Sequence, residues 1–287
     1  MEMSLRLSEA SVEDECTHPG SSEDMSIRCG QNLDGEYGVT FGYIHKGLRI
    51  NDEEISTLRN TNMKNLLSRK KLYLVLDLDN TLLNSTFVFL LRSEELHLLT
   101  QTDSLDDVSN GSLFKFSNLP KLTKHQPFVR TFLKEVNKMF EMYIYTLGGR
   151  EYARDVVKML DPLGEYFNGK VISQADGTET EQKSLDVVPG HESAILILDD
   201  TKHVWMKHTD NLIQIEKYLF FAASCWAYRL ERKSLAELKT DENETDGALA
   251  RTLDVLKRVH STFFDKLEGD LVDRDVRKVL KTVLSES

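Results

Sequence analysis

Residues 72–76 read Leu-Tyr-Leu-Val-Leu, an unbroken apolar run that follows Arg69-Lys70-Lys71 and gives way to Asp77-Leu78-Asp79-Asn80-Thr81. A run without polar alternation suits a strand buried on both faces of a parallel sheet. Two later runs repeat the pattern. Met142–Thr146 ends in a hydroxyl and is followed by Gly148-Gly149-Arg150, and Ala194–Leu198 ends in Asp199-Asp200. Between and around them the apolar spacing becomes helical. Ile55, Leu58, Met63, Leu66 and Leu67 predict an amphipathic helix over 51–67. Val129, Phe132, Leu133, Val136 and Phe140 share one face over 127–140, with Pro127 at the start. Another helix spans Arg150 to Leu160 and is closed by Asp161-Pro162. Near the end, Leu249, Leu253, Val255, Leu256, Val259, Phe263 and Phe264 form a stripe over 248–267, and a shorter helix covers 272–283. Alternating strands and helices predict an α/β fold with a central parallel sheet, extended by C-terminal helices that pack back on it.

This pattern divides the chain. Residues 1–40 are polar, acidic and Gly-Ser-rich, a composition that favours a disordered tail. Residues 41–70 form a lead-in, 71–221 the catalytic unit with an insertion at 86–120, and 222–287 the helical extension. The insertion opens with apolar Phe87–Leu91 and turns polar over Thr100–Ser112. It is short for a lid over a small metabolite, and Thr146 to Lys183 leaves no room for a second lid. The site is therefore expected to be open to a phosphate carried on a flexible peptide.

In open α/β sheets, ligands gather at the carboxyl ends of the strands. Asp77 and Asp79 fall there, and burying two carboxylates without a partner costs several kcal/mol, so a metal, a proton or a cation belongs nearby. If the chain bends after Asp77, both can face one pocket. One carboxylate would then attack phosphorus to give an acyl phosphate. The other would protonate the leaving oxygen and then activate water. Thr81 would offer a hydroxyl to a phosphoryl oxygen. Taken alone, the string also fits two solvated aspartates before a helix. Thr146 fits an N-cap, Lys183 a solvated lysine and Asp199-Asp200 a turn. Together they supply what phosphoryl transfer needs: a hydroxyl, a cation and oxygen ligands for magnesium.

The chain has 287 residues, 40% of them hydrophobic, enough for a substantial core. The start lacks the profile of a secretory signal, and three cysteines make a disulfide framework an unlikely organising device. No apolar stretch approaches the roughly 18 residues needed to span a membrane. A net charge of −11 argues against nucleic-acid binding as the main role. Locally, Lys121, Lys124, His125, Arg130, Arg150, Arg154 and Lys183 could rim an anionic site.

Asp77–Leu83 resembles the nucleophile motif of the haloacid dehalogenase superfamily, and in particular of its RNA polymerase II C-terminal domain phosphatases. The resemblance runs from about Tyr43 to the C-terminus. It includes Phe140–Ala153, Val171-Ile172-Ser173, Lys183, Ile197–Asp200, Val204-Trp205, Asn211–Ile215 and Tyr218–Phe221. It implies a haloacid dehalogenase-like three-layer sandwich and a magnesium-dependent serine/threonine phosphatase acting in the nucleus on the phosphorylated polymerase repeats. By this resemblance Asp77 is the nucleophile and a magnesium ligand, and Asp79 the acid/base that lends its carbonyl to the metal. Thr146 and Lys183 hold phosphoryl oxygens, and Arg150 contacts phosphate or peptide. Asp200 completes the metal ligands, while Asp199 holds a metal water or Lys183. The residues alone do not separate Asp199 from Asp200.

There are departures from the pattern. The helical tail resembles the segment that precedes a BRCT domain in larger members, and none follows Ser287. Gln126-Pro127-Phe128 stands where relatives often carry a basic residue before the proline. Cys16, His18 and Cys29 suggest a zinc site, but Ser26-Ile27-Arg28-Cys29 has serine where a Cys-x-x-Cys pair would begin and where the plant proteins it resembles carry cysteine. Disorder is therefore the expectation there. A weakly catalytic phosphopeptide-binding paralogue and a small-molecule phosphatase remain the alternatives. The oligomeric state is open.

Overall fold

The computed structural model describes residues 16–33, 37–105, 108, 111–116, 120–266 and 269–286. In chain order the strands and helices begin with β1 (Gly20–Ser22), β2 (Met25–Ser26), β3 (Val39–Thr40), β4 (Leu48–Ile50), α1 (Asp52–Ser68) and β5 (Leu72–Leu76). In and beside the insertion follow β6 (Leu83–Phe87), β7 (Leu113–Lys115) and β8 (Lys121–His125). Then come α2 (Val129–Val136), β9 (Phe140–Tyr145), α3 (Arg150–Leu160), β10 (Val171–Ile172), β11 (Ile195–Asp199) and β12 (Leu212–Gln214). Helices α4 (Ala222–Ala227), α5 (Leu235–Leu238), α6 (Ala248–Ser261) and α7 (Val276–Ser285) complete the chain.

The central sheet has the order β10-β9-β5-β11-β12, with every pairing parallel. Alternate residues of its strands feed two cores, as the pleat requires. Leu72, Leu74, Leu76, Met142, Ile144, Leu196 and Leu198 join α2, α3, α6 and α7 on one side. Tyr73, Val75, Tyr143, Tyr145, Ile195 and Ile197 meet Leu66 of α1, Val187 and Trp205 on the other. This is the three-layer α/β arrangement expected, with the C-terminal helices packed on the sheet. Strand pairing sets Leu76 opposite both Ile144 and Leu198, so the next residues, Asp77, Tyr145 and Asp199, lie level at one edge.

Some boundaries differ from the sequence reading. The helix expected over 127–140 is only α2, because Phe128 adopts φ of 71° just before it and the chain must turn at Asn137–Met139 to start β9. The helix expected from 248 to 267 changes to a π-helical turn at Thr262–Lys266; Leu267 lies outside the described residues. The insertion adds β7 to its flanking strands β6 and β8, making a small antiparallel sheet in the order β6-β8-β7.

The described part of the tail is also ordered. Residues 16–33 and 37–40, expected to be disordered, supply β1, β2 and β3, which build a sheet with β4 in the order β2-β1-β4-β3. Asn51 fastens this sheet to α1: its side chain caps the helix at the Glu54 N–H and donates to the carbonyl of His18. Arg49 donates to the carbonyls of Tyr37 and Gly38. Composition missed this because the sheet is held by polar side chains rather than by an apolar face. Residues 1–15 lie outside the described residues. Among the described residues no helix is long and apolar enough to cross a membrane.

Candidate active site

The ends of β5, β9 and β11 enclose a cavity of about 260 Å³ lined by Asp77, Asp79, Thr146, Lys183, Asp200 and Tyr228, among others. Asp77 leaves β5 while its N–H still bonds Leu198 O at 3.0 Å, which fixes its carboxylate at the sheet edge. The chain then bends through Asn80, whose φ of 64° lies in the left-handed region that asparagine tolerates better than most residues. That bend returns Asp79 to the same cavity. Asn80 also donates to the Tyr228 hydroxyl at 3.2 Å.

Lys183 is buried between two carboxylates, with Nζ 2.6 Å from Asp77 Oδ1 and 2.6 Å from Asp199 Oδ2. Burial alone would weaken its proton affinity, but the two carboxylates outweigh burial and hold the ammonium above its usual range. Asp199 has little left to offer: Oδ2 also accepts from the Trp205 indole at 2.8 Å, and Oδ1 from the Thr201 N–H at 2.8 Å. Asp200 faces differently, accepting from the Thr201 hydroxyl at 2.7 Å and pairing with Lys217. Neighbouring aspartates thus divide the work, one anchoring Lys183 and the other facing Lys217.

Carboxylate oxygens of Asp77, Asp199 and Asp200 lie within 4.8 Å of one another, a hard-oxygen cluster suited to a divalent cation. Burial first, and then the charges of Asp199 and Asp200, push the Asp77 carboxyl up to about 8 despite Lys183. Three buried acids against one buried lysine leave negative charge to be balanced by a proton or a metal. The residues fit a divalent ion.

Burial also raises the pKa of Asp79, opposed chiefly by the Tyr152 hydroxyl, which donates to Oδ1 at 2.6 Å. Tyr152 comes from α3, and Lys121 of β8 sits 4.4 Å from its ring centroid. At Gly148 a Cβ would lie 3.0 Å from the Tyr152 ring and 3.2 Å from Thr146 Oγ1, so glycine lets the β9–α3 turn close over the cavity. Thr146 Oγ1 accepts from the Gly148 N–H at 2.9 Å, leaving its own proton to donate.

Two expected phosphate contacts are placed elsewhere. Thr81 is fully buried and exchanges hydrogen bonds with Asp200, its hydroxyl 3.2 Å from Oδ1 and 3.1 Å from the Asp200 N–H. Its hydroxyl ties the β5 turn to β11 instead of reaching phosphate. Arg150 does not line the cavity; its guanidinium pairs with Asp176 at 2.5 Å. The proposed basic rim also thins out. His125 is buried, Arg130 donates to Gly111 O at 2.8 Å, and Lys124 pairs with Asp241 at 2.9 Å. Lys121 and Lys183 remain beside the acids. Sequence reasoning missed Tyr152, Lys217 and Tyr228 as site residues, although Tyr152 falls inside the quoted Phe140–Ala153 segment.

A parallel sheet with these acids at its carboxyl edge defines a phosphatase-type α/β domain, and residues 72–264 match the NLI interacting factor-like phosphatase family. The chain belongs to that family. It is 54% identical to RNA polymerase II C-terminal domain phosphatase-like 4 of Arabidopsis thaliana over 96% of this chain and 63% of that protein. It is 38% identical to phosphatase-like 3 of the same plant, over 80% of this chain and 19% of that one. The chain therefore spans less than two thirds of the length of these relatives. Its fold is shared with the solved structure of Fcp1, described as an essential RNA polymerase II CTD phosphatase. The TM-score is 0.59 at 22% identity, covering 78% of this chain and 73% of that one.

Proposed function

We propose that this chain is a magnesium-dependent protein serine/threonine phosphatase that acts in the nucleus on phosphorylated C-terminal repeats of RNA polymerase II. The observation that carries the reading is the meeting of Asp77, Asp79, Thr146, Lys183 and Asp200 in one open cavity at the sheet edge. The polymerase repeats and the nucleus are inferred from the names of the relatives. A phosphate on a protruding side chain suits that cavity better than a metabolite needing enclosure.

In this mechanism the Asp77 carboxylate attacks phosphorus, the bond to the seryl oxygen breaks, and Asp79 delivers its proton to that oxygen. Water then attacks the aspartyl phosphate at phosphorus, with Asp79 accepting the water proton, and inorganic phosphate leaves. Lys183 and Thr146 hold the phosphoryl oxygens. Asp77, Asp200 and the Asp79 carbonyl would hold magnesium, and Asp199 acts through Lys183. When bound, magnesium neutralises phosphoryl charge and keeps Asp77 ionised.

The test is phosphate release from repeat peptides phosphorylated at different serines, with and without magnesium, for the native chain and Asp77→Asn. Magnesium-dependent release lost in the folded variant is expected. No release from any phosphopeptide or aryl phosphate would overturn the proposal, as would far faster turnover of small metabolites.

A further inference from the structure

Far from the acidic cluster in sequence, the Cys16, His18 and Cys29 side chains converge, with one donor atom from each within 4.8 Å of the others. The His18 Nδ1 lies 3.5 Å from Cys29 Sγ. Two ligands on a tetrahedral zinc ion, with bonds of about 2.0 Å to nitrogen and 2.3 Å to sulfur, stand about 3.5 Å apart. The spacing is therefore that of ligands around one ion.

The position facing this trio is held by Ser26. Its Oγ lies 3.2 Å from His18 Nδ1 and accepts the N–H groups of Arg28 at 3.3 Å and Cys29 at 3.4 Å. The turn thus directs backbone donors onto the side chain at 26, an arrangement that would stabilise an anionic ligand there. Tyr37 fixes His18, donating to its carbonyl and packing edge-on with ring centroids 6.4 Å apart. The sheet that carries these residues has strands of only two or three residues. Such short pairings usually need a staple.

We propose that Cys16, His18 and Cys29 bind one zinc ion, with Ser26 or water completing the tetrahedron. Soft sulfur and imidazole donors select zinc over magnesium. Two thiols lose their protons on binding, and the two thiolates balance the ion's charge. Since a neutral hydroxyl is a poor substitute for a thiolate, the ion is held more weakly than at a site with four strong ligands. Its role is to clip the 26–29 turn to residues 16–18, which Asn51 joins to α1.

The test uses the full chain under reductant, with millimolar magnesium to occupy the acidic site. Zinc stoichiometry is measured by elemental analysis, and thiolate ligation by the absorption of the cobalt-substituted protein. The expected result is one zinc per chain with a cobalt–thiolate band. Cys29→Ser and His18→Ala should each weaken binding at least tenfold, and Ser26→Cys should tighten it at least tenfold. That gain cannot arise from misfolding. Absence of bound zinc in the native chain, equal binding by the Cys16→Ser/Cys29→Ser double variant, or unchanged affinity in Ser26→Cys would overturn the proposal.

Discussion

The Tyr152 hydroxyl donates to Asp79 Oδ1 at 2.6 Å while also lying 2.8 Å from Ser85 Oγ. It stabilises the ionised carboxyl against the burial that raises the pKa of Asp79. Tyr152→Phe removes that bond, so Asp79 keeps its proton to higher pH. The step that needs Asp79 as a base then slows near neutrality. The expected result is roughly a tenfold fall in turnover of an aryl phosphate at pH 7, recovered as pH rises. An ascending limb of the pH–rate profile that stays in place would reduce Tyr152 to a packing role.

Lys217 pairs with Asp200 Oδ2, the carboxylate assigned to magnesium in the proposed mechanism. Ammonium and metal compete for one oxygen. Lys217 is partly exposed, so screening limits the pair to about 1 kcal/mol. Lys217→Met should therefore lower the magnesium concentration for half-maximal activity by about fivefold, read from a magnesium activation curve. A weaker response to magnesium would instead make Lys217 a ligand-positioning residue.

The strand tips were legible because both faces of a parallel strand are apolar, so Leu72–Leu76 and Ile195–Leu198 end abruptly at their acids. Convergence of Asp77, Thr146 and Asp200 followed from parallel strands sharing one edge, whereas Lys183 reaches them from the connection between β10 and β11. The insertion sheet was not legible, since β6 reads Leu-Asn-Ser-Thr-Phe and β8 Lys-Leu-Thr-Lys-His. Its buried Asn84 is satisfied by partners distant in sequence: Oδ1 accepts from the N–H groups of both Phe220 and Phe221 at 3.0 Å. Thr81 and Arg150 were misplaced for the same reason. Their partners, Asp200 and Asp176, are brought to them only by the fold.

Leu256 is fully buried where α6 joins the core that contains α2. Leu256→Ala should cost about 2–5 kcal/mol through lost burial and the cavity left behind. Because α6 is remote from the site residues in sequence and lines none of the cavity, kcat at a temperature well below the transition should stay within about twofold. Urea unfolding and phosphatase kinetics measured side by side check both halves. A large kcat loss without destabilisation would mean that the tail acts on the site directly.

His125 packs 5.0 Å from the Phe114 ring, and among the described residues neither of its ring nitrogens has a hydrogen-bond partner. Burial, reinforced by Arg130 and Lys124, pulls the imidazole from 6.5 down to about 3. The folded protein therefore keeps His125 neutral where the unfolded chain takes up a proton. Stability from this residue is complete above about pH 6.5 and is lost as pH falls toward 3, at about 1.4 kcal/mol per pH unit. His125→Phe removes the titration while keeping an aromatic ring in the same contact. In urea unfolding at pH 7, 6 and 5, the native chain should lose stability relative to the variant as the pH drops below 6.5. If the two pH dependences run parallel, His125 takes up no extra proton on unfolding and another group governs the acid limb.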